Sequence, residues 1–344
     1  MHFLKRPHQF GSLTLPSNVF SAPLAGCSDL PFRRMLTKYK PGMMYCEMVK
    51  MGALIHGNPQ TRQLLEYEPA MHPIGAQLCG SSPQMAKECA KMIEDMGFDT
   101  IDLNCGCPVD KITKDGSGSG MLKDPALIGE ILHTMVTSVS IPITVKIRAG
   151  WDDESIVGPE ITRIAEQAGA VAIYVHGRTR KQAYVGPANW GYIRNCKQVA
   201  KEIQVFGNGD IFDVESAEKI FAHTGCDGIL LSRGNMGQPW LTDDIYCHLS
   251  GIASPIRTAL DSRDIFLEHL ESIVAYKDLR RAVFDTRRVG CWFLRNIKGA
   301  RQLRDAINRM QSAEEVRQAV LDYPWHECEL SVLSQAQERV YVEN

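Results

Sequence analysis

Residues 143–150 read ITVKIRAG, a short apolar run carrying one lysine and closed by arginine and glycine. A run this short and β-branched, without helical periodicity, predicts a strand covered on both faces. Working outward, seven more runs of the same kind appear: Val19–Gly26, Met43–Val49, Pro73–Gly80, Thr100–Pro108, Val171–Arg178, Ile203–Asp210 and Gly228–Gly234. They recur every 25 to 40 residues or so, with room between them for amphipathic helices such as 83–96 and 160–168. Eight β/α units in about 220 residues predict a closed (β/α)8 TIM barrel. An open doubly wound sheet is the alternative, and the even count favours closure.

Almost every run ends in polar or glycine-bearing residues: APLAG, CEM, QLCG, NCGCP, KIRAG, HGRT, GNGD and SRGN. In a barrel these ends form the active-site face, so each nominates candidates. Beyond Ile252 the strand pattern stops, and 262–319 reads as helical through FLEHLESIV, RRVGCWFLRNI and AEEVRQAV. Residues 1–252 are therefore expected as the barrel domain, with 1–18 a turn or hairpin closing its bottom. Residues 253–344 are expected as a smaller all-α domain, joined through a linker at Pro255.

Of the 344 residues, 44% are hydrophobic and 23% charged, the balance of an ordinary globular protein. No stretch reaches the roughly 18 apolar residues of a membrane span, and the N-terminus lacks the apolar run of a signal peptide. The 11 cysteines are odd in number and scattered, apart from Cys105 and Cys107, which argues against a disulfide scaffold. Cys-x-Cys without a second Cys/His pair lacks zinc spacing, so no metal site is expected. A reducing cytoplasm is the predicted location. The net charge of −2 is unevenly divided: 277–309 carries about +7 and the rest about −9. A basic segment on an acidic protein predicts a polyanionic partner for that segment.

The strongest local signal is DLNCGCP (102–108), followed by KDGSGSG (114–120). A thiol at a strand end, before a proline and a glycine-rich stretch, suggests a reactive group on a loop. With an ordinary pKa near 8.5 such a thiol is mostly protonated at neutral pH and can donate a proton. The plainer reading is that both cysteines are small buried hydrophobes. Gly116, Gly118 and Gly120 lack the Lys-Ser/Thr of a phosphate-binding P-loop.

Alternation along a strand puts Lys146 and Arg148 on one face, and likewise His176 and Arg178. Cationic groups near a barrel mouth predict an electron-rich occupant, although such side chains at strand ends can simply reach for water. GNGD (207–210) and SRGN (232–235) follow runs seven and eight, the customary phosphate site of this barrel. Glycine amides with an arginine suit a phosphate monoester, the alternative being glycines that merely turn the chain.

In these residues the chain resembles the bacterial-type tRNA-dihydrouridine synthases, FMN enzymes that reduce uridine in transfer RNA. The resemblance is carried by APLAGCSDLPFR (22–33), CEM (46–48), QLCGSSP (77–83), DLNCGCP (102–108), GSGSGMLKDP (116–125), VKIRAGW (145–151), VHGRT (175–179), GNGDI (207–211) and SRGNMGQPW (232–240). It implies a cytoplasmic oxidoreductase in which NADPH reduces FMN and Cys107 protonates a D-loop uridine. It further implies that Gln77, Lys146 and His176 contact the flavin ring, with Pro23, Leu24 and Ala25 packed beside it. Asn208, Gly209, Asp210, Ser232, Arg233 and Gly234 then match the phosphate end, and Asn104, Arg148 and Arg178 surround the substrate base. Cys105 sits where the family varies. Leu24 stands where the family commonly has methionine, a swap of similar volume.

Treated as one unbroken helix from Lys277, the basic segment puts Arg280, Arg281, Arg287, Arg288, Arg295 and Lys298 on one side. Leu279, Val283, Phe293, Leu294 and Ile297 fall on the other. If the helix breaks near Phe284, only Arg287, Arg288, Arg295 and Lys298 keep that relation, and these four are expected to grip RNA, the plainer reading being a solvated helix face. Two rivals compete with this reading: an FMN barrel acting on a free small molecule, which leaves the basic segment unexplained, and a tRNA-binding factor without chemistry, which should lack Cys107 or Lys146.

Overall fold

The computed structural model describes residues 3–331; Met1, His2 and residues 332–344, the end of the expected helical domain, lie outside the described residues. The chain begins with an antiparallel hairpin of β1 (His8–Phe10) and β2 (Leu13–Leu15), turned at Gly11 with φ of 56°. Eight parallel strands follow: β3 (Val19–Ser21), β4 (Met44–Lys50), β5 (Ile74–Cys79), β6 (Thr100–Cys105), β7 (Ile143–Arg148), β8 (Ala172–His176), β9 (Gln204–Asn208) and β10 (Gly228–Leu231). They close in the order β10-β3-β4-β5-β6-β7-β8-β9, so the structure is the closed (β/α)8 barrel and not the open sheet. Each strand falls within its expected run except for one residue, Lys50, at the end of β4.

Every residue of β5, β6 and β8 is buried, because helices cover the outer face and side chains fill the inner one. The lower interior is an aromatic layer of Phe10, Phe20, Tyr45, Tyr174 and Phe206 with Leu15 and Leu230. The Phe10 ring, brought in by the hairpin, lies 5.4 Å from Phe20 and 5.9 Å from Phe206, both edge-on. Such pairs contribute about 0.5–1.5 kcal/mol each beyond area burial. With the bottom plugged, ligand space inside the barrel opens toward the C-terminal ends of the strands.

Caps fix where the helices after several of the loops there begin. Asp29, Ser82, Asp124 and Asp213 each accept a backbone N–H at the start of the next helix, and Pro31, Pro83 and Pro125 sit in the first turns of three of these helices. Proline is favoured there because it lacks the N–H that a first turn leaves unused.

After the helix Leu241–Leu249 come helices Ala259–Tyr276, Leu279–Leu294, Arg301–Ile307 and Ala313–Asp322. A small antiparallel ladder of β11 (Ile297–Lys298) and β12 (Glu329–Leu330) ties the end of the described chain back to this region. The single helix expected over 277–298 does not form. Lys277 is extended, Asp278 caps a new helix by accepting the Arg281 N–H, and the chain leaves helical geometry after Leu294. Within the second helix Ala282, Thr286, Val289, Gly290 and Phe293 form the buried stripe, whereas Leu279, expected in the core, opens its first turn and is 83% exposed, and Phe284 is 59% exposed.

Candidate active site

One cleft opens at the C-terminal ends of the strands and encloses about 870 Å³, its open mouth included. The strand register explains how distant sequence segments meet there. Gln77 of β5 pairs with Asp102 of β6, and Asp102 with Thr144 of β7. One step further up, Asn104 pairs with Lys146, and above it Arg148 pairs with His176 and His176 with Asn208. Pro23, Leu24, Ala25, Gln77, Asn104, Cys107, Lys146, Arg148 and His176 all line the cleft. So do Asn208, Gly209, Asp210, Ser232, Arg233 and Gly234. Arg178 stands behind this lining, and Arg287, Arg288, Arg295 and Lys298 belong to the helical region outside it.

The Cys107 turn is held from both sides. Asn104 Oδ1 accepts the backbone N–H of Gly106 (3.1 Å) and of Cys107 (2.9 Å). Arg148 Nε donates to the Gly106 carbonyl (3.0 Å), and Ser119 donates its N–H and hydroxyl to the Cys107 carbonyl. Arg148 also donates to the carbonyls of Thr179 (2.8 Å) and Ala183 (2.7 Å), so it latches two loops together. Burial lowers its pKa to about 10, which leaves it a cation at neutral pH. The two neighbouring cysteines separate: Cys105 is fully buried, and burial pushes its thiol well up, whereas Cys107 faces the cleft.

Burial pulls Lys146 down to about 8, Arg148 adds to the shift and Asp102 opposes it. Burial also pushes Asp102 up to about 7, against the pull of Gln77, Thr144 and Lys146. His176 is held well below the ordinary imidazole range, first by burial and then by Arg148, Lys146, Arg178 and Arg233, so the ring is neutral. Arg178 Nη1 lies 3.4 Å from His176 Nε2. An arginine can only donate, so Nε2 accepts and the ring proton is assigned to Nδ1.

At the far end of the cleft, Asp210 Oδ2 accepts from Arg178 Nη2 (2.8 Å) and from the Ala188 N–H (2.7 Å), while Arg233 Nη2 reaches Oδ1 at 3.3 Å. The Arg233 guanidinium also lies over the ring of Tyr184, 4.7 Å from its centroid. Asn208 Nδ2 donates to the Leu230 carbonyl (2.6 Å) and to Ser232 Oγ (2.9 Å), which joins β9 to the loop after β10. Glycine is required twice here. Gly209 has φ of 112° and a Cβ on it would stand 2.9 Å from His176 Cδ2; one on Gly234 would stand 2.2 Å from the Ile211 carbonyl oxygen.

Sequence reasoning missed four contributors. Tyr184 and Phe212 line the cleft from the loops after β8 and β9, and Met48 from β4. Asp102 lies beneath them, bonded to Gln77 and Thr144. Met48 and Asp102 stood inside the quoted motifs CEM and DLNCGCP, and alternation places Asp102 on the face of Asn104. Tyr184 was the isolated aromatic in a polar loop.

In the helical region, Arg295 donates to the backbone carbonyls of Arg233 (3.4 Å) and Met236 (3.0 Å), and Arg287 donates to that of Met310. Arg288 pairs with Asp285 (2.8 Å) and comes within 3.6 Å of the position a Cβ on Gly26 would take, at the rim of the cleft. Lys298 meets Glu329 at 3.5 Å, both well exposed. Among the described residues no group of three His, Cys, Asp or Glu is arranged to hold a metal, and no helix is long and apolar enough to cross a membrane.

Fold and cleft together define a (β/α)8 barrel with a ligand-sized cleft at the C-terminal ends of its strands. Residues 20–327 match the family described as Dihydrouridine synthase (Dus). A "Probable tRNA-dihydrouridine synthase 1" of Synechocystis sp. is 39% identical over 90% of this chain and 87% of its own length. The "tRNA-dihydrouridine synthase B" of Pseudomonas aeruginosa is 36% identical over 89% of this chain and 92% of its own. The chain belongs to the dihydrouridine synthase family. Among solved structures, "TcOYE with pHBA" shares the fold with a TM-score of 0.56 at 13% identity, over 72% of this chain and 94% of that one. A histamine dehydrogenase from Rhizobium sp. 4-9 does so with a TM-score of 0.53 at 13% identity, over 77% of this chain and 50% of that longer one.

Proposed function

We propose that this protein reduces the C5=C6 bond of D-loop uridines in tRNA to 5,6-dihydrouridine, with FMN held in the barrel mouth, NADPH as reductant and Cys107 as proton donor. The observation that carries the reading is that Cys107 shares one cleft with Lys146, Arg148 and a glycine-lined end bearing Arg233. The relatives from Synechocystis and Pseudomonas, both named as tRNA-dihydrouridine synthases, support it.

The cleft suits FMN. Pro23, Leu24, Ala25 and Met48 offer apolar contact to a ring face, and Gln77, Lys146 and neutral His176 offer polar groups to its edge. The backbone at Gly209 and Gly234 packs too closely on its neighbours for any Cβ and brings main chain to the cleft beside Arg233, which suits a phosphate. FMN held by these residues, once reduced, would supply the hydride that C6 of the uracil needs. Cys107 gives its proton to C5 and becomes a thiolate, which Lys146 and Arg148, both in electrostatic reach of it, stabilise. A stacked uridine cannot enter a barrel mouth, so the nucleotide swings out at a cost of a few kcal/mol. Basic contacts to the RNA backbone offset that cost, and the +7 segment supplies them.

Purified protein incubated with FMN, NADPH and unmodified tRNA should yield dihydrouridine by mass spectrometry of the digested RNA. Unmodified tRNA alongside rapid reduction of a free pyrimidine or enoate would replace this reading with the small-molecule one. Arg233→Ala should weaken FMN binding by roughly ten- to a hundredfold, the worth of one or two charge-assisted hydrogen bonds. Flavin fluorescence titration measures it, and a loss confined to tRNA affinity would mean that this loop faces RNA. Arg288→Ala with Lys298→Ala should lower the slope of log K against log salt by nearly one for each phosphate contact removed. FMN affinity should stay unchanged in that double variant; parallel salt lines would place the RNA grip elsewhere.

A further inference from the structure

From the cleft lining a chain of hydrogen bonds runs down to Asp102, a residue that the proposed reaction does not use. Thr144 Oγ1 donates to Asp102 Oδ1 (2.7 Å), and Gln77 Nε2 donates to Asp102 Oδ2 (2.7 Å). Asn104 Nδ2 donates to Gln77 Oε1 (2.7 Å), and Asn104 Oδ1 accepts the N–H groups of Gly106 and Cys107. All four side chains are buried. The chain can run in only one sense. The two backbone N–H groups demand an oxygen from Asn104, which turns its NH2 toward Gln77. Gln77 must then present its oxygen to Asn104 and its NH2 to residue 102, and residue 102 must accept.

We propose that Asp102 is a positioning residue: by accepting from Gln77 it fixes the orientation of both amides and, through Asn104, anchors the turn that carries Cys107. Both amide oxygens are engaged within the chain and the second Asn104 N–H donates to Met48 Sδ (3.5 Å), so it is Gln77 that presents N–H to the cleft and selects a carbonyl or imine acceptor on whatever lies there. A side chain at 102 with no acceptor leaves the Gln77 NH2 buried and unsatisfied. Turning that amide over relieves this, but it sets donor against donor at Asn104 and, one step on, at the Cys107 turn. What is needed at 102 is an acceptor, not a charge. Asparagine there can keep its oxygen toward Gln77 and give its NH2 to the Thr144 hydroxyl, which can accept as well as donate.

The inference rests on reading Cys107 as the proton donor only for its importance. Its test uses neither FMN nor RNA, so it can fail independently of the proposed reaction. The flavin-free full-length protein is treated with N-ethylmaleimide, and modification of the Cys107 peptide is followed by mass spectrometry, with buried Cys105 as internal control. Asp102→Leu should raise the Cys107 rate by roughly tenfold, the effect of losing one buried hydrogen-bond anchor. Gln77→Leu cuts the same chain at its middle link and should give a similar rise, which keeps the test open if Asp102→Leu does not fold. Asp102→Asn should stay within about twofold of the unsubstituted protein. Wild-type labelling in both leucine variants would overturn the inference. So would Asp102→Asn behaving like Asp102→Leu, since it would mean that the negative charge beside Lys146, and not the acceptor, is what matters.

Discussion

Replacing Cys107 with alanine is expected to slow dihydrouridine formation by about 10²–10⁴, the usual worth of a positioned general acid. Flavin content and NADPH oxidation should be unaltered. The separation follows from geometry: Cys107 lines the cleft on a turn held by Asn104, Arg148 and Ser119, and none of those bonds uses its sulfur. Single-turnover assays with prereduced enzyme isolate the step. Cys105→Ala is the control, because that side chain is wholly buried and points away from the cleft lining. A large loss with Cys105→Ala and none with Cys107→Ala would assign the acid to the wrong residue.

Lys146→Met is expected to slow the same step by about 10²–10³, the range seen when one preorganised donor to a developing negative charge is removed. Methionine keeps much of the stem volume, so loss of charge dominates. The pH dependence gives an independent signature. Burial lowers the Lys146 pKa to about 8, so in the flavin-free protein the cation is present below that pH and lost above it. FMN affinity should therefore fall as pH rises through about 8, and Lys146→Met should flatten that decline. An unchanged decline in Lys146→Met would assign it to another residue.

Eight buried runs at regular spacing determined the closed barrel from sequence alone, because a strand covered on both faces writes itself as a continuous apolar run and the polar residues that end it mark the mouth. Cys107, Lys146, His176, Asn208 and Arg233 were legible for the same reason: each stands at or just beyond a strand end, where local pattern and position in the fold coincide. The basic segment was legible as a charge excess but not as a surface. Asp278, by capping a second helix, cut Lys277 off from that helix and left Leu279 in an exposed first turn. Only the tertiary structure decided that Arg295 spends hydrogen bonds on the backbone of the Arg233 loop, that Tyr184 lies against Arg233, and that Asp102 orders Gln77 and Asn104. Those contacts join residues 25 to 62 positions apart through strand register and loop packing. Periodicity and spacing report which face a residue occupies; which neighbour it meets on that face is set by how the strands align and where each cap ends a helix.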